Sequence, residues 1–127
     1  MEIKPLIKED FVVLDEESTL SELIGKLKTF EKRTGLVFRK KKYLGLIEKK
    51  KLLKSRLDVS KAKIKNFVQI TPIINENADL FETAYLMYQS DLRYIPVESN
   101  KKIIGVLNAL DLTKLIAELP EVKDTKV

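Results

Sequence analysis

Sliding the chain against itself by 60 positions brings one half into register with the other, and this internal repeat constrains the fold more than any other feature. Gly45 falls on Gly105, Glu16 on Glu76, Leu20 on Leu80, Glu22 on Glu82, Arg33 on Arg93, Val37 on Val97 and Leu52 on Leu112. The pairing is ungapped from about Ile7 and Phe67 onward, and apolar positions match in type, as Leu14 with Ile74 and Leu27 with Met87 do. The chain is therefore read as two copies of one unit, residues 1–60 and 61–127. So small a unit buries little surface alone, and the two copies are expected to pack together.

Composition removes several chemistries. The 127 residues contain neither cysteine nor histidine. Disulfide scaffolds, thiol catalysis, zinc ribbons and His-based triads or metal sites are thereby excluded, and no catalytic residue or metal ligand is assigned. No apolar run reaches the length of a membrane span, and the start lacks a signal-peptide core, so a soluble, cytoplasmic protein with no membrane partner is expected. The net charge of +5 is uneven: residues 1–60 hold 15 Lys and Arg against 10 Asp and Glu, and residues 61–127 hold 9 of each. The excess gathers at Arg39–Lys42 and at Lys49, Lys50, Lys51, Lys54 and Arg56. It reads either as a basic surface for nucleic acid or as a hairpin turn followed by a solvated helix face; the second is favoured because no aromatic residues interleave with the charges.

Each copy follows the order strand, helix, strand, strand, helix. In the first, Phe11–Leu14 reads as a strand, and Thr19 with Glu22 forms a capping box that opens a helix. Leu20, Leu23, Ile24, Leu27 and Phe30 give that helix its apolar face; Gly25 is a weak point unless something packs closely on it. Leu36–Arg39 and Tyr43–Ile47 form a hairpin, a second helix runs from about Glu48 to Leu57, and Asp58–Lys65 is a structured connector. In the second copy the strand is expected over Ile70–Ile74, with Pro72 at an edge. Leu80, Phe81, Ala84, Met87 and Tyr88 are expected on the buried helix face, and Glu121–Val127 as a polar tail.

The most informative stretch is Lys101–Leu115. Ile103–Leu107 reads as a buried strand, and Asn108 opens an amphipathic helix with Asp111 in its first turn. Such a turn exposes N–H groups suited to phosphate, and a carboxylate beside it accepts from two vicinal ribose hydroxyls. The alternative is that Asn108 only caps the helix and Asp111 only complements its dipole.

From Ile7 to Leu119 the chain resembles a tandem pair of CBS domains, also called a Bateman module, of the kind found as stand-alone proteins in archaea and bacteria. The resemblance rests on the duplicated order of elements, on Ile74–Ala84, on Arg93-Tyr94-Ile95-Pro96-Val97, and on Gly105-Val106-Leu107-Asn108-Ala109-Leu110-Asp111. It implies an α+β fold of two pseudo-twofold-related β-α-β-β-α repeats packed through their sheets. It implies regulation rather than catalysis, with adenosine-containing ligands such as AMP, ADP, ATP or S-adenosylmethionine held in clefts between the repeats. It further implies homodimers joined through their helices, in an orientation it does not define, and an effector protein or fused domain that receives the signal.

Carried over by position, the resemblance puts Asp111 on ribose and Asn108 beside it, with Ile7, Val12, Arg33 and Thr34 from the other repeat, and Arg93 within reach of phosphates. Asn108 stands where Ser or Thr is usual. In the first repeat the matching positions are Glu48 and Lys51. A lysine cannot accept from a diol and a glutamate repels phosphate, so the second cleft, bounded by Lys51, Glu48, Thr71 and Tyr94, is expected to be degenerate for nucleotides. Two alternatives stand beside the nucleotide sensor: a dimerisation scaffold with empty clefts, and nucleic-acid binding through the basic face of the first repeat.

Overall fold

The computed structural model describes residues 2–52 and 60–123. The expected continuation of the first repeat's second helix to Leu57, the start of the connector at Asp58, the basic residues Lys54 and Arg56, and the end of the tail lie outside the described residues. Each repeat builds one three-stranded sheet. The first comprises β1 (Phe11–Asp15), α1 (Leu20–Thr29), β2 (Thr34–Arg39), β3 (Lys42–Glu48) and α2 (Lys49–Leu52). The second comprises β4 (Ile74–Asn75), α3 (Leu80–Gln89), β5 (Tyr94–Ser99), β6 (Lys102–Asn108), α4 (Ala109–Ala117) and a short α5 (Pro120–Lys123). The fold is mixed α+β, and α1 with α3, β2 with β5 and β3 with β6 repeat at an offset of 60 residues.

In both sheets the first strand runs parallel to the second, and the second pairs with the third as a hairpin. The first strands differ in length. β1 pairs with β2 over five residues, whereas β4 pairs with β5 only at Ile74 and Asn75. Pro96 stands in β5 where β2 has Leu36, and Pro72 precedes β4; neither has an N–H to give to a ladder. The expected strand over Ile70–Ile74 is shortened for this reason.

Helix starts follow local chemistry. The Thr19 hydroxyl accepts from the Glu22 N–H at 3.2 Å, the capping contact expected from sequence. Asp79 accepts from Glu82 and Phe81 N–H groups, both at 3.0 Å. The Glu82 N–H is the main cause holding the Asp79 carboxyl below its ordinary range.

The helix faces depart from expectation in one respect. On α1, Leu20, Leu23 and Leu27 are buried, but Phe30 is exposed. On α3 the buried residues are Leu80, Thr83 and Met87, while Phe81 and Tyr88 point to solvent. Stepping by three and four from Leu80 selects Thr83 and Met87 as one stripe; Phe81, Tyr85 and Tyr88 form the adjacent one. Thr83 is tolerated inside because its hydroxyl donates to the Asp79 carbonyl at 2.7 Å. The expected polar tail begins instead with α5, which Pro120 opens as a first-turn residue.

Packing does not divide the chain where the repeats divide. One compact unit is Asp10–Pro72, and the other joins Met1–Glu9 to Ile73–Val127. The segment before each repeat crosses to the other repeat's sheet. The Lys8 N–H donates to the Val106 carbonyl at 3.0 Å, and the Val106 N–H donates back at 2.8 Å. Gln69 and Leu46 exchange the same pair of bonds, both at 2.9 Å. Ahead of these bridges, Ile3 is fully buried in a core with Leu80, Met87, Ile95 and Leu107. Ile64 is fully buried in the other core, with Leu14, Leu20, Leu23 and Val37.

Glycine is required where these segments cross. A Cβ on Gly105 would stand 2.6 Å from Ile7 Cγ2 and 2.7 Å from the Lys8 carbonyl oxygen; one on Gly45 would meet the Val68 side chain and lie 2.5 Å from the Gln69 carbonyl oxygen. Gly105→Ala and Gly45→Ala are each expected to lower stability by about 1–3 kcal/mol, because backbone has to retreat to admit one methyl group. Urea denaturation of the two variants checks this, and wild-type stability in both removes the strap contacts from the account.

Candidate functional site

The glycine contacts also set a corrected register. Ile7 and Lys8 lie on Gly105 as Val68 and Gln69 lie on Gly45. The ungapped alignment pairs Ile7 with Phe67, so the lead-in segments differ by one residue. This places Lys8 and Gln69 at equivalent positions, which the 60-residue offset hides by pairing Lys8 with Val68.

At the end of β6, Asn108 caps α4: its side-chain oxygen accepts from the Leu110 N–H at 2.8 Å. The Ala109 N–H donates to the Arg93 carbonyl at 2.8 Å. Two of the N–H groups expected to face a phosphate are therefore already bonded. Asp111 remains the distinctive group. Its Oδ2 is shielded from water and has no hydrogen-bond partner among the described residues, while the Lys8 ammonium lies 3.0 Å away as a charge contact. The Asp111 side chain is 23% exposed and that of Lys8 53%, so the lysine is the more solvent-accessible member of the pair. Sequence reasoning missed this contact of Lys8.

The other unit has the same geometry with altered charges. Lys51, at the Asp111 position, lies 3.1 Å from Glu48 Oε2, and its ammonium donates to the Gln69 side-chain oxygen at 3.5 Å. Glu48, at the Asn108 position, is buried with only 3% of its side chain exposed, and its Oε2 has no hydrogen-bond partner among the described residues. These three polar residues are among those lining a cavity of about 350 Å³, with Phe67, Val68 and Leu52 among its apolar residues.

The remaining candidates fall in both units. Ile7, Asn108, Asp111, Arg93 and Tyr94 belong to the unit containing α4, and Val12, Arg33, Thr34, Glu48, Lys51 and Thr71 belong to Asp10–Pro72. Strand register sets Tyr94 opposite Asn108 and Thr34 opposite Glu48. Val12 is buried in the core. Thr34 is fully buried, and its hydroxyl donates to the Asp10 carbonyl. Arg33 is ion-paired with the Asp10 carboxylate, which also accepts the Arg33 N–H at 2.8 Å. Arg93 is exposed and borders a cavity of about 310 Å³ between α3 and α4, floored by Met87 and Leu112. Among the described residues no group of three or more His, Cys, Asp and Glu side chains is placed to hold a metal, and no helix is long and apolar enough to cross a membrane.

Residues 64–118 match the family model of the CBS domain. The chain is similar in structure to a CBS domain protein from Pyrobaculum aerophilum complexed with AMP, with 20% identity and a TM-score of 0.76 over 98% of this chain and 100% of that one. It is also similar to the CBS domain of a bacterial CNNM/CorC family Mg²⁺ transporter (15% identity, TM-score 0.75, 99% of this chain and 78% of that one). A CBS domain-containing protein from Thermotoga maritima gives 22% identity and a TM-score of 0.70, over 95% and 97% of the two chains. No curated protein sequence matches. The second repeat is thus a CBS domain, and the whole chain has the fold of a CBS domain pair.

Thr71 is buried, and its hydroxyl is hydrogen-bonded to the Tyr43 phenol at 2.6 Å. Burial pushes the Tyr43 phenol up to about 12, against a smaller downward pull from Thr71. The folded state then holds a neutral phenol that the unfolded chain ionises near pH 10, so its contribution is complete below about pH 10 and is lost as pH rises toward 12. Ultraviolet titration of tyrosinate should show one of the four tyrosines ionising last. Tyr43→Phe should remove that step, and ordinary titration of all four tyrosines would contradict the burial argument.

Proposed function

We propose that the chain is a regulatory module that binds an adenosine-containing nucleotide beside α4, with Asp111 as the ribose anchor. The observation that carries this reading is the desolvated Asp111 oxygen, which has no hydrogen-bond partner among the described residues and meets the half-exposed ammonium of Lys8 as a charge contact. A buried acceptor with no hydrogen bond gains most from a ligand that brings donors, and vicinal ribose hydroxyls bring two. When they take Asp111, the displaced Lys8 ammonium meets the phosphate, a role that the capped helix start fills only in part. Asn108 keeps α4 in place, and its amide N–H₂ remains a donor to the ligand. The AMP complex of the similar Pyrobaculum protein supports the same ligand class.

The site at Lys51 is the electrostatic inverse of this one. With an ammonium where the carboxylate stands and a buried Glu48 behind it, it accepts no diol, which supports a single nucleotide site per chain. The ligand acts as a cytoplasmic signal by favouring one arrangement of the protein over another, and a partner protein or fused domain receives that change. S-adenosylmethionine is the ligand that separates roles: it carries the ribose but no phosphate, so it tests Asp111 apart from Lys8.

Calorimetric titration with AMP, ADP, ATP and S-adenosylmethionine tests the assignment. The expected result is about one nucleotide per chain, with micromolar binding corresponding to about −8 kcal/mol. Asp111→Ala abolishes it, Lys8→Ala weakens nucleotides more than S-adenosylmethionine, and Lys51→Ala leaves it unchanged. Absence of heat with all four ligands overturns the proposal. Binding that survives Asp111→Ala but falls steeply with salt points instead to the basic first repeat and to nucleic acid.

A further inference from the structure

The cavity beside α2 holds a buried charge that folding leaves incompletely satisfied. Glu48 ends β3 with 3% of its side chain exposed, and its Oε2 is shielded from water with no hydrogen bond among the described residues. Nearby donors are engaged elsewhere. The Thr34 hydroxyl, on the residue opposite Glu48 in the hairpin, donates to the Asp10 carbonyl, and the Lys49 N–H donates to the Arg33 carbonyl. The Lys51 ammonium supplies a charge contact at 3.1 Å, yet 60% of that side chain is exposed. A buried carboxylate without hydrogen bonds is costly to keep, and a ligand that brings N–H donors gains most from meeting it.

The walls define the ligand further. All the lining residues belong to Asp10–Pro72. Leu52 is buried, whereas Phe67 and Val68 are half-buried and keep apolar surface for a ligand to cover. At about 350 Å³ the cavity lies near the lower end of the ~300–1,000 Å³ that small-molecule sites span, which suits a ligand smaller than a nucleotide. Its two charges are opposite in sign and 3.1 Å apart. A cationic ligand satisfies Glu48 and opposes Lys51, an anionic one does the reverse, and a neutral apolar one leaves both without a new partner. A molecule with an ammonium and a carboxylate on one carbon matches the pair. An ammonium presents three N–H groups on a single atom, which suits a carboxylate less exposed than Asp111, at 3% against 23%, better than the two separate hydroxyls of a diol.

We propose that this cavity binds a free α-amino acid with an apolar side chain. Its ammonium donates to Glu48, its carboxylate accepts from Lys51, and its side chain lies against Leu52, Phe67 and Val68. The 3.5 Å bond from Lys51 to the Gln69 side chain is at the outer limit of a hydrogen bond and yields to a carboxylate, a charged acceptor. The Gln69 amide N–H₂ then gives that carboxylate a second donor. The site shares no residue with the one at Asp111 and stands whether or not a nucleotide binds there.

Calorimetry and thermal melting with L-leucine, L-valine and L-phenylalanine test the assignment. L-leucine is expected to bind at about one per chain with a dissociation constant on the order of 100 μM, which so few non-hydrogen atoms allow. Leucinamide, which lacks the carboxylate, and N-acetyl-leucine, which lacks the ammonium, should each bind at least about tenfold more weakly. These analogues probe the wild-type chain, so the test holds even where a variant does not fold. Lys51→Ala and Glu48→Gln should each weaken leucine by about tenfold or more, and saturating AMP should not displace it. Absence of binding by all three amino acids at about 10 mM, roughly a hundredfold the expected constant, overturns the proposal. So does either analogue binding as tightly as leucine, leucine binding that Lys51→Ala leaves intact, or displacement of leucine by AMP.

Discussion

Two backbone hydrogen bonds over a glycine recur in each unit, and much of the structure follows from them. β3 and β6 are edge strands, and an uncovered edge leaves N–H and C=O groups unsatisfied. Gln69 and Lys8 each cover part of one edge, and Gly45 and Gly105 let the covering backbone lie close enough to bond. Because the covering segment comes from the lead-in of the other repeat, each sheet is completed by chain that its own repeat does not supply. Ile3 and Ile64 extend the exchange into the cores, where both are fully buried. A truncation at residue 60 would therefore separate each core from part of its lining, although the sequence repeat places a boundary there.

The same exchange builds the candidate site. Lys8 reaches Asp111 because its backbone is held on Val106, two residues before the Asn108 cap. Position comes from the strap and polarity from the helix, so either can change without the other. In the second unit the strap carries Gln69 and the helix carries Lys51, and the contact survives with its charge sense altered. One scaffold thus presents a carboxylate guarded by an ammonium in one unit and an ammonium beside a buried carboxylate in the other. Such divergence is available to duplicated units because the backbone bonds, not the side chains, keep the geometry.

The elements were legible in the sequence because they depend on local signals. Capping at Thr19 and Asp79, the hairpins and the matched glycines each announce a boundary within a few residues. Asn108 as the cap of α4 and Asp111 in its first turn were legible by the same logic. The Lys8–Asp111 contact was not, since it depends on a one-residue offset between the two straps, and no local pattern in a short polar lead-in reports it. The α3 surface failed for a different reason. Phe81 and Tyr88 are apolar enough for a core, and only the alternative stripe through Leu80, Thr83 and Met87 shows that the core was already filled; a buried threonine bonded to the Asp79 carbonyl gives a weak apolar signal. The shortened β4 was partly visible in Pro72 and Pro96, whose missing N–H groups limit the ladder before any packing is considered.

The two repeats keep their backbone and diverge on their surfaces, and the divergence has a consistent direction. Sites that answer to folding match across the repeats: Leu20 with Leu80, Leu27 with Met87, Gly45 with Gly105. Several sites outside the cores differ in charge and bulk, Lys51 against Asp111, Lys28 against Tyr88, Lys50 against Leu110, while others, such as Glu22 with Glu82 and Arg33 with Arg93, match. Cations collect in one unit, and the aromatic row and the Asp111 carboxylate, paired with Lys8, lie in the other. The strap contacts over Gly45 and Gly105 are kept in both units, so the backbone bonds hold the matched sites while the surface of each unit can change without loss of the fold.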